Sequence, residues 1–128
     1  MGIQIKILIV DDHPVTRKML RQILKQLSFD DIREAVDGDM AMEILGDEDI
    51  NLMFTDLNMP KVTGMELIQK IREKAEHREL PVIVVSGEGD YDMVLKAMQT
   101  GADSFIVKPF APKTVIEKIA QVLSRRAK

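Results

Sequence analysis

The chain has 128 residues, of which 45% are apolar, 30% charged and only 4% aromatic, with a formal net charge of -3 and no cysteine. That length sets a single domain, residues 1–128, with an aliphatic core, and leaves too little chain for two ordinary domains. The slight negative charge excludes general affinity for nucleic acid or an anionic membrane, and the missing cysteines exclude a disulfide framework or thiolate zinc site, which fits a cytoplasmic setting.

Residues 5–10 (IKILIV) form the first predicted strand. Their apolar run stops at Asp11, far too short for a signal peptide or a membrane span. Pro14 suits the first turn of a helix, on which Val15, Met19, Ile23 and Leu27 share a face. A strand at 31–35 (DIREA) follows, then a helix marked by Ala41, Ile44 and Leu45. The third strand, 51–55 (NLMFT), runs into Asp56, and Thr63 with Glu66 forms the S/T-x-x-E capping box of a helix carrying Leu67, Ile68 and Ile71. The strand at 81–85 (PVIVV) precedes a helix with Val94, Ala97 and Met98. The last strand, 104–107 (SFIV), precedes one with Val115, Ile119, Val122 and Leu123. Five alternations of strand and helix predict an α/β fold, a doubly wound parallel sheet of five strands covered on both faces. The basic end, residues 124–128, reads as a solvated helix terminus.

Ligands of open parallel sheets bind at the carboxyl ends of the strands. Strand one ends in Asp11 and Asp12, strand three in Asp56, strand four in Ser86, and strand five in Lys108 before Pro109. Acids crowded in a cleft repel until one of them takes up a proton. A hard divalent cation removes that penalty, and magnesium suits oxygen donors, with Asp11 and Asp56 as direct ligands and Asp12 direct or through water. Taken singly each residue has a plainer use. Asp12 could cap the helix that starts near Pro14, Ser86 could end a strand, Lys108 could be a solvated amine, and Phe105 could be core. His13 adjoins the acids but is expected as a loop residue outside an oxygen shell, and His77 as an exposed loop residue. The nine methionines read as gap fillers. The glycines of VDGD and SGEG make no nucleotide-binding fingerprint.

The DD pair at 11 and 12, the D-x-N-M-P run from Asp56 to Pro60, Ser86, and the KPF of Lys108 to Phe110 occur in order, each at a predicted strand end. Together they resemble the receiver domains of two-component response regulators, of the single-domain CheY-like chemotaxis type, over essentially the whole chain. The resemblance implies a flavodoxin-like strand order of 2-1-3-4-5. It implies phosphorylation of Asp56 by a histidine kinase or histidine phosphotransfer protein, with Mg2+ held by Asp11, Asp12, Asp56 and the backbone carbonyl of Asn58. Lys108, after a cis Lys108–Pro109 bond, and Ser86 would neutralise phosphoryl oxygens, while Asn58 and Glu88 tune hydrolysis. Ser86 and Phe105 would form a switch, loosened by Gly87 and Gly89, that reshapes the surface of the fourth helix, fifth strand and fifth helix for a downstream protein. The flagellar motor switch is among the candidates. The protein would be a monomeric phosphoacceptor that assists its own phosphorylation and dephosphorylation, and not an enzyme, without nucleic-acid binding or membrane insertion. The chemotaxis type often has threonine and alanine where this chain has Ser86 and Gly87, and usually tyrosine in place of Phe105. A phosphorelay component, a receiver excised from a multidomain transcriptional regulator, and an interaction module that is never phosphorylated stay open. A flavin-binding relative of the fold is disfavoured, because DDHP (residues 11–14) repels phosphate and the chain has no tryptophan and a single tyrosine, Tyr91.

Overall fold

The computed structural model describes residues 3–59, 62–87 and 89–126. Pro60 of the D-x-N-M-P run, Glu88 and the last two residues of the basic end lie outside that set. Five parallel strands, β1 (Ile3–Val10), β2 (Phe29–Ala35), β3 (Leu52–Asp56), β4 (Val82–Ser86) and β5 (Ser104–Val107), lie in the order β2-β1-β3-β4-β5. They alternate with helices α1 (Pro14–Gln26), α2 (Gly38–Asp47), α3 (Gly64–Glu73), α4 (Tyr91–Thr100) and α5 (Pro112–Arg126), and a 3-10 turn, Ala75–His77, precedes β4. This is the doubly wound, flavodoxin-like fold expected. Among the described residues no helix is long and apolar enough to cross a membrane.

Every residue of β3 and β4 is buried, as strands covered on both faces must be. Side chains alternate between two cores. Leu8 and Val10 join Met53, Val82 and Val84 under α2, α3 and α4, while Ile7 and Ile9 join Phe54, Ile83 and Val85 under α1 and α5. Burying each such aliphatic side chain contributes about 1.5–3 kcal/mol, so the central strands are the most strongly fixed part of the sheet.

Register then aligns the strand ends. Val10 pairs with Thr55, Asp56 with Val85, and Ser86 with Val107, so Asp11, Asp56, Ser86 and Lys108 emerge along one edge. The same edge receives α3, whose capping box is intact: Thr63 accepts from the Glu66 N–H and the Glu66 carboxylate accepts from the Thr63 N–H. Gly64 begins that helix so close to β3 that a Cβ there would lie 2.0 Å from the Asp56 carbonyl oxygen. Only glycine allows this approach.

Two expectations are corrected, and so is one of the plainer readings, Asp12 as a helix cap. The buried face of α1 is Leu20, Ile23 and Leu24, whereas Val15 and Met19 are 70% and 42% exposed. Both stripes have helical spacing, and packing against the sheet selects the second. His13, not Asp12, is the N-cap of α1, and it caps without a side-chain hydrogen bond. His77 lies in the 3-10 turn and is half-buried rather than in an exposed loop.

Candidate functional site

Asp11 leaves β1 with its backbone held on both sides. Its N–H donates to the Ala35 carbonyl at 3.1 Å, and its carbonyl accepts from Arg17 Nη1 at 2.6 Å. Glu34, at the end of β2, fixes Arg17 through Nε at 3.1 Å and Arg21 at 3.0 Å. The Asp11 main chain is therefore fixed by neighbouring strand and helix, while its buried carboxylate is bonded by the His13 N–H of the loop that follows.

Asp56, the last residue of β3, is 3% exposed. Its Oδ1 accepts from the Asn58 N–H at 3.2 Å, and its Oδ2 lies 3.6 Å from Lys108 Nζ. Burial raises its carboxyl above the ordinary value; Lys108 and the Asn58 N–H pull it down, and the nearby Asp11 charge adds to the rise. Lys108 Nζ also reaches Asp11 Oδ2 at 3.4 Å, so one ammonium bridges acids from two strands. The Lys108–Pro109 peptide is cis, as the resemblance implied.

His13 enters where sequence reasoning left it out. Its ring Nδ1 lies 3.0 Å from Asp11 Oδ1, 3.1 Å from Asp12 Oδ1 and 3.8 Å from Asp56 Oδ2. The His13 N–H donates to Asp11 Oδ1 at 2.8 Å, folding the chain so that the ring turns back over the acids. Asp11, Asp12, His13 and Asp56 each offer a ligand atom, all within 4.8 Å of one another. The adjacency of His13 to the DD pair was the available signal, and the preference of magnesium for oxygen argued against using it.

Two polar atoms there are buried and bare among the described residues. Asp12 Oδ1 makes no hydrogen bond despite the nearby ring, and Ser86 Oγ has no partner. An unsatisfied buried polar group costs about 1–3 kcal/mol, which a ligand supplying charge or hydrogen bonds would recover. Three converging carboxylates, one raised by burial, and a bare oxygen fit a divalent cation; the amine of Lys108 and the Ser86 hydroxyl fit an anionic group.

Phe105 points outward on β5, with Lys118 Nζ 5.3 Å from its ring centroid, a cation–π distance. Beside it is a cavity of about 220 Å³, lined chiefly by Ser86, Tyr91, Val94, Leu95, Met98 and Phe105 itself. Asn58 is exposed and its side-chain amide approaches Asp90 at 3.5 Å. Gly64 escaped sequence reasoning altogether, since the closeness of α3 to β3 is a tertiary fact.

The response regulator receiver domain family model matches residues 7–120. A chemotaxis protein CheY homolog of Campylobacter jejuni is 38% identical over 119 residues, covering 92% of each chain. Chemotaxis protein CheY of Pseudomonas aeruginosa is 36% identical over 94% of this chain and 97% of its own. Among solved structures, chemotaxis protein CheY4 of Vibrio cholerae superposes with a TM-score of 0.85 at 26% identity, over 94% of this chain and 99% of that one. NtrX of Brucella abortus superposes at 0.90 with 30% identity, over 99% of this chain but 28% of that longer one.

Proposed function

The chain belongs to the response regulator receiver domain family, and from that premise we propose that Asp56 accepts a phosphoryl group from a phosphohistidine of a kinase or histidine phosphotransfer protein. Asp56 Oδ forms the new O–P bond as the P–N bond to the donor imidazole breaks, and the departing ring nitrogen takes up a proton from solvent, leaving an aspartyl phosphate and a neutral histidine on the partner. Such transfer needs chiefly positioning and charge neutralisation. A strand end buried in the sheet supplies the positioning, because Asp56 cannot wander as a loop carboxylate would.

Asp11, Asp12, Asp56 and the backbone carbonyl of Asn58 would hold Mg2+, which when bound neutralises charge on the acids and on a phosphoryl oxygen. Lys108 turns from bridging Asp11 and Asp56 to meeting a second oxygen, and the Ser86 hydroxyl donates to the third. The reading is carried by one observation: Lys108 Nζ stands within 3.6 Å of both Asp11 and Asp56, so a metal-ligating acid, the proposed phosphoacceptor and their counter-charge share one pocket. The protein acts as a stoichiometric phosphoacceptor and not as an enzyme on an external substrate.

Output follows from the bare Ser86 hydroxyl. Drawn toward the phosphoryl group, Ser86 shifts the end of β4, and Phe105 turns inward toward the cavity it now only borders. The face of α4, β5 and α5 then changes shape for a downstream protein, for which the chemotaxis names of the relatives favour the flagellar motor switch. Incubation with acetyl phosphate and Mg2+, read by intact mass, tests the reading. One phosphoryl adduct is expected on the native protein and none on Asp56→Asn; an equal adduct on both, or none on either, would leave a receiver-like interaction module.

A further inference from the structure

We propose that His13 is a nitrogen ligand in the acid pocket and makes it select first-row transition ions over magnesium. The inference rests on the reading that this pocket holds a divalent cation, and it deepens that reading by naming the class of ion.

Around an ion bound at about 2.1 Å, neighbouring ligand atoms lie about 3 Å apart, the edge of the coordination polyhedron. His13 Nδ1 stands 3.0 Å from Asp11 Oδ1 and 3.1 Å from Asp12 Oδ1. The first contact is a ring–carboxylate hydrogen bond, so an ion would enter in place of the proton it shares, with Nδ1 and the two carboxylate oxygens already at the spacing of fellow ligands. Asp56 Oδ2, 3.8 Å away, closes the group from β3. The His13 N–H bond to Asp11 Oδ1 fixes the turn, and the hydrogen bond between Nδ1 and the same oxygen holds the ring over the acids. Asp12 Oδ1, the oxygen 3.1 Å from the ring, is buried and makes no hydrogen bond, so its lone pairs are available to an ion. The ring itself is 61% exposed, which leaves its side of the pocket open to an entering ion.

The chemistry of the donor set decides the ion. Carboxylates alone suit magnesium, whereas an imidazole added to them suits cobalt, nickel, zinc and iron and gains nothing for a hard ion. The sequence has only two histidines, and the other, His77, is in the 3-10 turn before β4, at the amino end of the sheet. Any imidazole signature is thus assignable.

Calorimetric titration of the full chain with Mg2+ and separately with Co2+, together with the visible absorption of bound Co2+, tests this. His13→Ala should weaken Co2+ binding at least about tenfold, the lower end of what even outer-shell partners contribute. Mg2+ binding should stay within about twofold. His77→Ala should change neither, and the Co2+ band should shift in His13→Ala alone. An unchanged Co2+ affinity, an equal loss for both ions, or tighter Mg2+ binding in His13→Ala would overturn the inference, the last by showing the ring to be a competitor of the ion. If native protein takes up phosphate with Mg2+ while its Co2+ preference ignores His13, the inference alone fails. If Asp56→Asn leaves the binding of both ions untouched, the acid-pocket reading fails with it.

Discussion

At the residue scale, burial raises the Asp56 carboxyl above its ordinary 3.8, with Lys108 opposing the rise. A carboxyl that holds its proton more tightly when folded contributes stability that is complete below 3.8 and is lost as the pH climbs through the higher folded value. Near neutral pH and without a divalent ion, charged Asp56 is therefore a local liability. Asp56→Asn should melt at a higher temperature than native protein at pH 7, and the difference should shrink to nothing in melts taken below pH 3.8. An unchanged difference at both pH values would assign the effect to packing instead. Gly64 is the opposite case, a residue with no charge and no freedom. A Cβ there meets the Asp56 carbonyl oxygen at 2.0 Å and Leu57 Cα at 2.7 Å, both main-chain atoms that cannot swing aside. Overpacking of this kind costs about 1–3 kcal/mol or more. Gly64→Ala should lower the melting temperature by about 4 °C per kcal/mol and also slow phosphorylation by acetyl phosphate, because the clash falls on the main chain of the phosphoacceptor. Normal phosphorylation in a destabilised variant would separate the two roles.

At the scale of elements, α4 has unequal ends. Its N-terminal Asp90 makes no side-chain cap, and Gly89 before it has a positive φ of 94°. At the other end the Gly101 carbonyl accepts from Arg72 Nε at 3.0 Å and Nη2 at 2.9 Å, and Asp103 binds both Arg72 and the Val82 N–H. If the proposed switch moves α4, the held end should act as the pivot and the uncapped end should move. Hydrogen exchange on phosphorylation should thus change more at residues 89–95 than at 97–103, and Arg72→Met should flatten that gradient. Lys108 links this motion to the site: Lys108→Ala should still accept some phosphate yet lose the response of α4, and partner binding equal to that of phosphorylated native protein would refute the link. How far such elements can be read from sequence depends on what fixes them. β1 and β4 were legible because buried parallel strands carry β-branched runs, and Asp11, Asp56, Ser86 and Lys108 were legible because parallel strands all end on one edge. The exposed face of α1 was not, since Val15 and Met19 repeat at the same helical interval as Leu20 and Leu24 and only the sheet chooses between them. His13 and Gly64 owe their roles to approach through space, which no local pattern records.

At the scale of the whole molecule, the proposed metal pocket joins parts of the chain that are distant in sequence. Asp11 and Asp12 follow β1 and Asp56 ends β3, two adjacent interior strands, while Lys108 brings in β5 from the edge. β1 and β3 contribute to both hydrophobic cores and β5 to one, so a ligand that binds only when the strand ends are aligned is linked to the global fold rather than to a loop. A ligand specific to the native state adds stability that grows with the logarithm of its concentration, about 2.7 kcal/mol at a hundred times its dissociation constant. For a domain of this length that corresponds to a rise in melting temperature on the order of 10 °C. Titrating Mg2+ into native protein should therefore raise the melting temperature logarithmically, with one transition throughout. Asp56→Asn starts higher without metal and should gain less from it, so that the two melting curves converge as Mg2+ increases. Parallel curves would mean that the ion acts elsewhere, and a second transition would mean that it orders a local segment without coupling the strands. Convergence would tie the charge that destabilises the pocket to the ion that relieves it, and so to the carboxylate proposed to receive the phosphoryl group.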